Sequence, residues 1–201
     1  MSGGASLYER PALYGSLFPG PFEGELEMLR ALLPPPPARV LSLGCGAARV
    51  ERHLSREGWR VSGIDAAPAM IEAARLADPA GDYRVARIED LPGDGGPFDA
   101  ALSLLLSMAY LEPAALEASL RRLRARLRPG APVVLDVPVA HRPHRLQGVA
   151  ERLDDGGQEY EFLYDEAVER GPWGARLETR LRVAALRERA QRAAVLTVLR
   201  P

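Results

Sequence analysis

The amino-acid sequence predicts an α/β fold, a doubly wound and mostly parallel sheet, on three observations. The stretch Val40-Leu41-Ser42-Leu43-Gly44-Cys45-Gly46-Ala47-Ala48-Arg49-Val50 begins as a short apolar run, breaks at two glycines one residue apart, and continues into a segment that can be helical. That is a strand, a tight turn and a helix start. Twenty-one positions after Gly44, Val61-Ser62-Gly63-Ile64-Asp65 reads as a second strand ending in an acid, the spacing of a βαβ unit that grips a ribose. Apolar runs then alternate with helical patterns as far as Val137, as a parallel sheet with crossover helices requires.

Taken in order, Phe22, Leu26, Leu29 and Leu33 recur every three or four positions with Glu23, Glu25 and Glu27 at the start. This is an amphipathic helix whose acids suit its positive end, and Pro34 to Pro37 stop it. The aromatic segment before it, Leu7 to Pro19, either folds over a ligand or packs its rings on the domain surface. The first crossover helix spans Ala47 to Glu57, with Val50 and Leu54 toward the sheet and Gly58 as its stop. Pro68 opens the next at a first-turn position, where a missing N–H costs nothing, and this helix buries Met70, Ile71, Ala74 and Leu76.

Tyr83 to Ile88 forms the third strand and Phe98 to Leu106 the fourth, a near-continuous apolar run suited to a strand covered on both faces. Pro113 opens a helix with Leu116, Leu120, Leu123 and Leu127 in one stripe. Its Arg121, Arg122, Arg124 and Arg126 read as a solvated face, because cations complement a helix C-terminus, rather than as a nucleic-acid patch. In the last third, Tyr160, Phe162 and Tyr164 alternate with polar residues, as do Leu177, Thr179, Leu181 and Val183, and 193–199 is a more apolar strand.

A chain of 201 residues is one ordinary domain able to bury a real core. Its formal charge of -1 gives no basic footprint for nucleic acid, although all 26 basic side chains are arginine. The single Cys45 can form neither an internal disulfide nor a cysteine-rich zinc site, which fits a reducing cytoplasm. The N-terminus lacks a basic segment followed by an apolar block, and no run approaches the roughly 18 apolar residues of a membrane span. The expectation is a soluble, cytoplasmic protein without a membrane partner.

The glycine loop, together with Gly63-Ile64-Asp65-Ala66-Ala67-Pro68-Ala69-Met70, Glu89-Asp90-Leu91-Pro92, Phe98-Asp99-Ala100-Ala101-Leu102-Ser103 and Leu127-Arg128-Pro129-Gly130 before Pro132 to Val137, resembles the ordered motifs of class I S-adenosylmethionine (SAM)-dependent methyltransferases. The resemblance runs from about Leu7 to Val137. It implies a Rossmann-like sheet of seven strands with an antiparallel C-terminal hairpin, here 177–183 and 193–199. The alternative is a small antiparallel sheet over 158–200 lying on the active site. The whole chain 1–201 then reads as a single methyltransferase domain: an N-terminal lid and helix over 1–36, a SAM-binding core over 37–137 and a β-rich region over 138–201.

The resemblance also assigns the site. Asp65 accepts hydrogen bonds from both ribose hydroxyls, or, in the plainer reading, caps the following helix. Gly44, Cys45 and Gly46 offer backbone to the ribose and methionine part, Ile88 and Glu89 flank the adenine, and Ser103 and Leu104 close the opposite side. Arg49, Ala66 and Met70 complete the cofactor-binding set. Cys45 is a small spacer rather than a nucleophile, since no histidine is motif-linked to it.

Methyl transfer from a sulfonium requires acceptor, methyl and sulfur held in line, with a general base only if the acceptor arrives protonated. Tyr14, Tyr110 and His141 are the catalytic candidates, and Tyr8, Tyr14, Ser107 and Tyr110 line the acceptor. His141 and His144 lack a third ligand at a credible spacing, so no metal is expected.

Four positions depart from the family pattern. Ser42 replaces an acid near the cofactor's ammonium, Ala48 replaces a third glycine, Arg87 replaces an acid near the adenine, and Ala67 replaces a capping serine. The amino-methylating signature of nucleic-acid enzymes is absent, because Ser103-Leu104-Leu105-Leu106 occupies its place.

A methyltransferase acting on a small-molecule acceptor is therefore expected, as a monomer or homodimer. The departures keep a degenerate, non-catalytic SAM- or S-adenosylhomocysteine-binding scaffold as the alternative. A nicotinamide-dependent oxidoreductase is disfavoured by the missing GxGxxG spacing and the lack of a substantial second domain.

Overall fold

A computed structural model describes the backbone of residues 7–22, 24–136, 144–155, 158–171, 174–185 and 194–199, and the side chains of residues 7–22 and 24–136. Two compact units divide the chain: one spans Tyr8–Val137 and the other contains the C-terminal strands. Each is described by itself.

The first unit is built on five parallel strands, β1 (Arg39–Leu43), β2 (Arg60–Asp65), β3 (Asp82–Val85), β4 (Ala100–Ser103) and β5 (Val133–Leu135), in the order β3-β2-β1-β4-β5. The order reverses between β1 and β4, where Val40, Leu41 and Ser42 pair with Ala100, Ala101 and Leu102. In open α/β sheets this reversal opens a crevice at the carboxyl ends of the strands. The helices are α1 (Pro11–Leu17), α2 (Glu25–Leu32), α3 (Glu51–Arg56), α4 (Pro68–Ala77) and α5 (Pro113–Arg124).

Strand alternation sorts the core onto two faces. Leu41 and Leu43 of β1 join Ile64, Phe98, Met108 and Leu123 in one cluster. Val40 points the other way, with Leu29, Leu54, Trp59 and Leu102. Trp59 also donates its indole N–H to the Pro34 carbonyl at 2.8 Å, fastening the proline run before β1. Ser42 shares the parity of Val40 and so lies on the side of α3.

Several elements differ from their expected bounds. The first crossover helix begins at Glu51 rather than Ala47, because Ala48 adopts φ +58 and breaks the helical path. β4 stops at Ser103 rather than continuing to Leu106, since Leu105 and Leu106 both turn left-handed. β3 likewise ends at Val85, and Ile88–Asp90 forms a 3-10 turn. Leu76, expected to be buried, is 84% exposed, while Met70, Ile71 and Ala74 on the opposite face of α4 are buried.

The second unit contains four antiparallel strands, β6 (His144–Asp155), β7 (Gln158–Gly171), β8 (Gly174–Ala185) and β9 (Ala194–Leu199), paired in chain order. Thus the parallel sheet has five strands among the described residues rather than seven in a shared sheet. β8 and β9, expected as a hairpin closing the main sheet, pair with each other within the four-stranded sheet. Local hydrogen-bonded pairing accounts for this: β7 and β8 run in register over twelve residue pairs from Tyr160↔Ala185 to Gly171↔Gly174. β9 then adds to the open edge of β8.

Candidate active site

At the carboxyl end of β1 the chain turns through Gly44 at φ +72 and Gly46 at φ +53, a conformation that costs glycine little. The backbone N–H groups of Gly44 and Cys45 both donate to the Ile64 carbonyl, at 2.8 and 3.0 Å, which pins the turn to β2. A side chain at Gly44 would meet Ser107 Oγ at 2.5 Å, whereas the space over Gly46 is open. Ala48 adopts the same left-handed region with a side chain, at a cost of about 1–2 kcal/mol.

Asp65, at the end of β2, accepts the Gly46 N–H on Oδ2 and the Ala67 N–H on Oδ1, each at 2.9 Å. The helix-approach reading and the ligand reading are both compatible with this geometry, because each carboxylate oxygen keeps a second lone pair. The carboxylate thus shapes the glycine turn and faces the cleft beside it.

That cleft holds about 870 Å³ of space between atoms, part of it open to solvent. Asp65, Gly44, Cys45, Gly46, Arg49, Met70 and Leu104 from the expected cofactor set border it, together with Tyr8, Tyr14, Ser107 and Tyr110 from the expected acceptor set. Gly15, Phe18, Gly20, Val50 and Glu51 also line it.

Other expected residues stand apart from the cleft lining. Ser103 is buried and donates its hydroxyl to the Leu43 carbonyl at 2.9 Å, tying β4 to β1. Ile88 packs partly buried against the core, with its Cδ1 3.9 Å from a side chain built at Gly44. Glu89 pairs with Arg87 at 2.5 Å, so the arginine found in place of an acid is held by the acid two residues on. Ala66 is exposed in the turn between Asp65 and α4. His141 lies outside the described residues.

Arg49 borders the cleft with its guanidinium already engaged. It donates to both carboxylate oxygens of Glu25, at 2.6 and 2.7 Å, and to the Gly20 carbonyl at 2.6 Å. The same guanidinium stacks 4.8 Å above the Phe22 ring. Arg49 therefore fastens the segment before α2 to the glycine turn, a role sequence spacing did not suggest.

The Cys45 thiol turns inward against Ala48, Ile71, Ala74 and Tyr83. Burial pushes it well above the usual thiol range, which leaves it a protonated core group.

The aromatic end of the cleft is continuous. Tyr8 and Tyr110 share a hydrogen bond between their hydroxyls at 2.9 Å. The Tyr8 and Tyr14 rings lie 5.7 Å apart and the Tyr14 and Phe18 rings 4.8 Å apart. Burial pushes Tyr14 up to about 12, with Tyr110 nearby adding to the effect, and pushes Tyr8 up further. Both phenols are neutral at physiological pH, so neither stands ready to remove a proton.

Glu51 is the lining residue that sequence patterning missed. It is 4% exposed, takes the Ser42 hydroxyl on Oε1 at 2.6 Å and takes the Val50 N–H on Oε2 at 3.2 Å. An acid heading a short amphipathic helix looks like an ordinary helix-start residue. The available signal was a serine within the apolar run Val40 to Leu43, at a parity that places it on the side of α3.

An open parallel sheet with a left-handed glycine turn, a strand-end acid and a cleft at the order reversal defines a Rossmann-like ligand-binding domain. Residues 40–130 match the family model described as a methyltransferase domain, in keeping with the resemblance to class I SAM-dependent methyltransferases.

The ubiquinone biosynthesis O-methyltransferase of Xanthomonas axonopodis pv. citri (strain 306) is 35% identical over 115 residues, covering 55% of this chain and 47% of that protein. The chain spans less than half the length of this curated relative. Among solved structures, a SAM-bound amino pentose methyltransferase from Micromonospora echinaspora covers 100% of this chain and 85% of its own, with TM-score 0.69 and 21% identity. A sugar N-methyltransferase from Streptoalloteichus sp. ATCC 53650 covers 99% and 81%, with TM-score 0.66 and 22% identity.

Among the described residues no group of histidine, cysteine, aspartate or glutamate side chains is arranged to hold a metal ion. No helix among them is long and apolar enough to cross a membrane.

Proposed function

We propose that the protein is a SAM-dependent methyltransferase acting on a small-molecule acceptor by in-line methyl transfer. The observation that carries this reading is the Asp65 carboxylate held at 2.9 Å from the Gly46 N–H, beside backbone with open space above it. The fit is chemical as well as steric: an acid suits a ribose diol, and a bare glycine backbone permits close approach. SAM, when bound, supplies an electrophilic methyl group on a sulfonium.

Asp65 holds the ribose, Gly44 and Gly46 present their backbone, and Met70 and Leu104 supply apolar contact. The ring cluster of Tyr8, Tyr14, Phe18 and Tyr110 walls the acceptor end and excludes water. Tyr14, neutral at working pH, orients the acceptor by hydrogen bonding and acts as no base. His141 remains the base of this reading where an acceptor arrives protonated. The relatives' names include both O- and N-methyltransferases, which supports the class of a small acceptor but no single acceptor atom. The enzyme is read as cytoplasmic and as a monomer or homodimer.

Calorimetric titration with SAM and with NAD tests the assignment. Binding of SAM alone is expected, with Asp65→Ala weakening it by at least about tenfold, equivalent to about 1.4 kcal/mol. Binding of NAD instead, or an unchanged affinity in Asp65→Ala, overturns it. Turnover to S-adenosylhomocysteine separates an enzyme from a binding scaffold.

A further inference from the structure

Two carboxylates, Asp65 and Glu51, line the cleft. Asp65 accepts two backbone N–H groups at the glycine turn, whereas Glu51 accepts the Ser42 hydroxyl and one backbone N–H. It sits in the first turn of α3, where its carboxyl group accepts a hydroxyl and a backbone amide. No salt bridge among the described residues reaches it.

The nearest cation in sequence, Arg49, has its guanidinium spent on Glu25 and Gly20. Buried carboxylates are normally paired with a cation, because burial alone penalises the charge. A buried acid lining a ligand cleft with only neutral partners is therefore placed to take a cation from a ligand.

The position of the acid is also informative. Ser42 is 1% exposed at the end of β1 and directs its hydroxyl at Glu51 Oε1, at 2.6 Å. The strand thus provides a short donor, and the helix provides the charge. A leucine or valine at 42 would leave the carboxylate without its orienting hydrogen bond, and a larger acid there would place a second negative charge against the first.

Resting on the SAM reading above, we propose that Glu51 is the cation receptor of the cleft, positioned by Ser42 and taking the ammonium of the cofactor's methionyl end. The carboxylate function has in effect moved from the strand to the helix, with serine left behind as its positioning residue. Burial raises the Glu51 carboxyl above its ordinary range, opposed by the Ser42 hydrogen bond, so an arriving ammonium both pairs with the group and favours its ionised form. The other titratable groups that feel this charge are Arg49, already paired, and Cys45 and Tyr83, both kept neutral by burial.

The test compares two ligands that share adenosine and a thioether. S-Adenosylhomocysteine carries the amino-acid end, and 5′-deoxy-5′-methylthioadenosine lacks it. In full-length Glu51→Gln, calorimetry should show about tenfold weaker binding of S-adenosylhomocysteine, as expected for loss of a charge-assisted contact, with methylthioadenosine changed less than about twofold. Ser42→Ala should shift the same ratio in the same direction by a smaller factor, and it serves as the second variant if Glu51→Gln fails to fold.

Equal weakening of both ligands would mark Glu51 as a structural residue and overturn the proposal, as would unchanged affinity for both. Wild-type protein that binds neither ligand overturns instead the SAM reading on which the proposal rests.

Discussion

Glu51 carries a carboxyl group into surroundings that favour its neutral form, and this has a consequence for stability independent of any ligand. Burial raises its pKa in the folded protein above the ordinary value of 4.5. The folded state then binds more protons than the unfolded chain as pH climbs past that value, so stability falls with rising pH. The contribution is fully present below the unfolded pKa and is lost as pH rises through the folded one. Glu51→Gln should therefore raise the melting temperature at about pH 8 and show a shrinking gain toward about pH 5. A gain that grows on acidification would contradict the burial argument. A residue whose removal stabilises the apo-protein while weakening ligand is the usual signature of a group kept for binding. Asp65 was legible from sequence because an acid ends an apolar strand at a fixed distance from a glycine turn. Glu51 was not, because helix starts favour acids whatever they face. The use of Arg49 was hidden for a different reason: Glu25 and Gly20 reach it only through the fold.

At the scale of elements, the site depends on the turn after β1 meeting the loop after β4. Ser107 packs over Gly44 while its hydroxyl donates to the Leu104 carbonyl at 2.8 Å. Gly44→Ala would put Cβ 2.6 Å from Ser107 Cβ and force alanine to φ +72. The backbone term alone costs about 1–2 kcal/mol, and the clash adds to it. Urea unfolding should show a loss above about 2 kcal/mol for Gly44→Ala, with Ser107→Gly in the same chain restoring the clash component and leaving the backbone term. If the second change restores nothing, the two loops are not in contact as described. Strand and helix identities along this part of the chain were readable from period and punctuation, but the ends of β4 and α3 were not. Leu104-Leu105-Leu106 gives no turn signal, since leucine rarely adopts the left-handed conformation that Leu105 and Leu106 take here. Ala48 conceals the start of α3 in the same way: alanine promotes helix by propensity, and its conformation in the turn overrides that preference.

The division of the whole molecule at Val137 follows from where each part finds its partners. Among the described residues, the parallel sheet has apolar clusters on both faces drawn from residues 26–135, and the cleft is lined by residues between Tyr8 and Tyr110. Among the described residues, the later strands pair with one another, each with its neighbour in sequence. Their arrangement was only partly legible: β7, β8 and β9 announced themselves by alternation or an apolar run, but β6 mixes arginine, glutamine and glycine with leucine and valine and carries no clear period. Without β6 the rest invites assignment to the edge of the large sheet, whereas with it a four-stranded sheet satisfies its own backbone pairing. Such an organisation predicts that a chain ending at Val137 retains a cooperative fold, because its core and its crevice are internal to it. Thermal melting should give a single transition, and S-adenosylhomocysteine should bind within about threefold of the affinity of the 201-residue chain, a difference of about 0.7 kcal/mol. Loss of ligand binding with the transition intact would assign the C-terminal strands to the completion of the site. Loss of the transition itself would overturn the independence of the first unit.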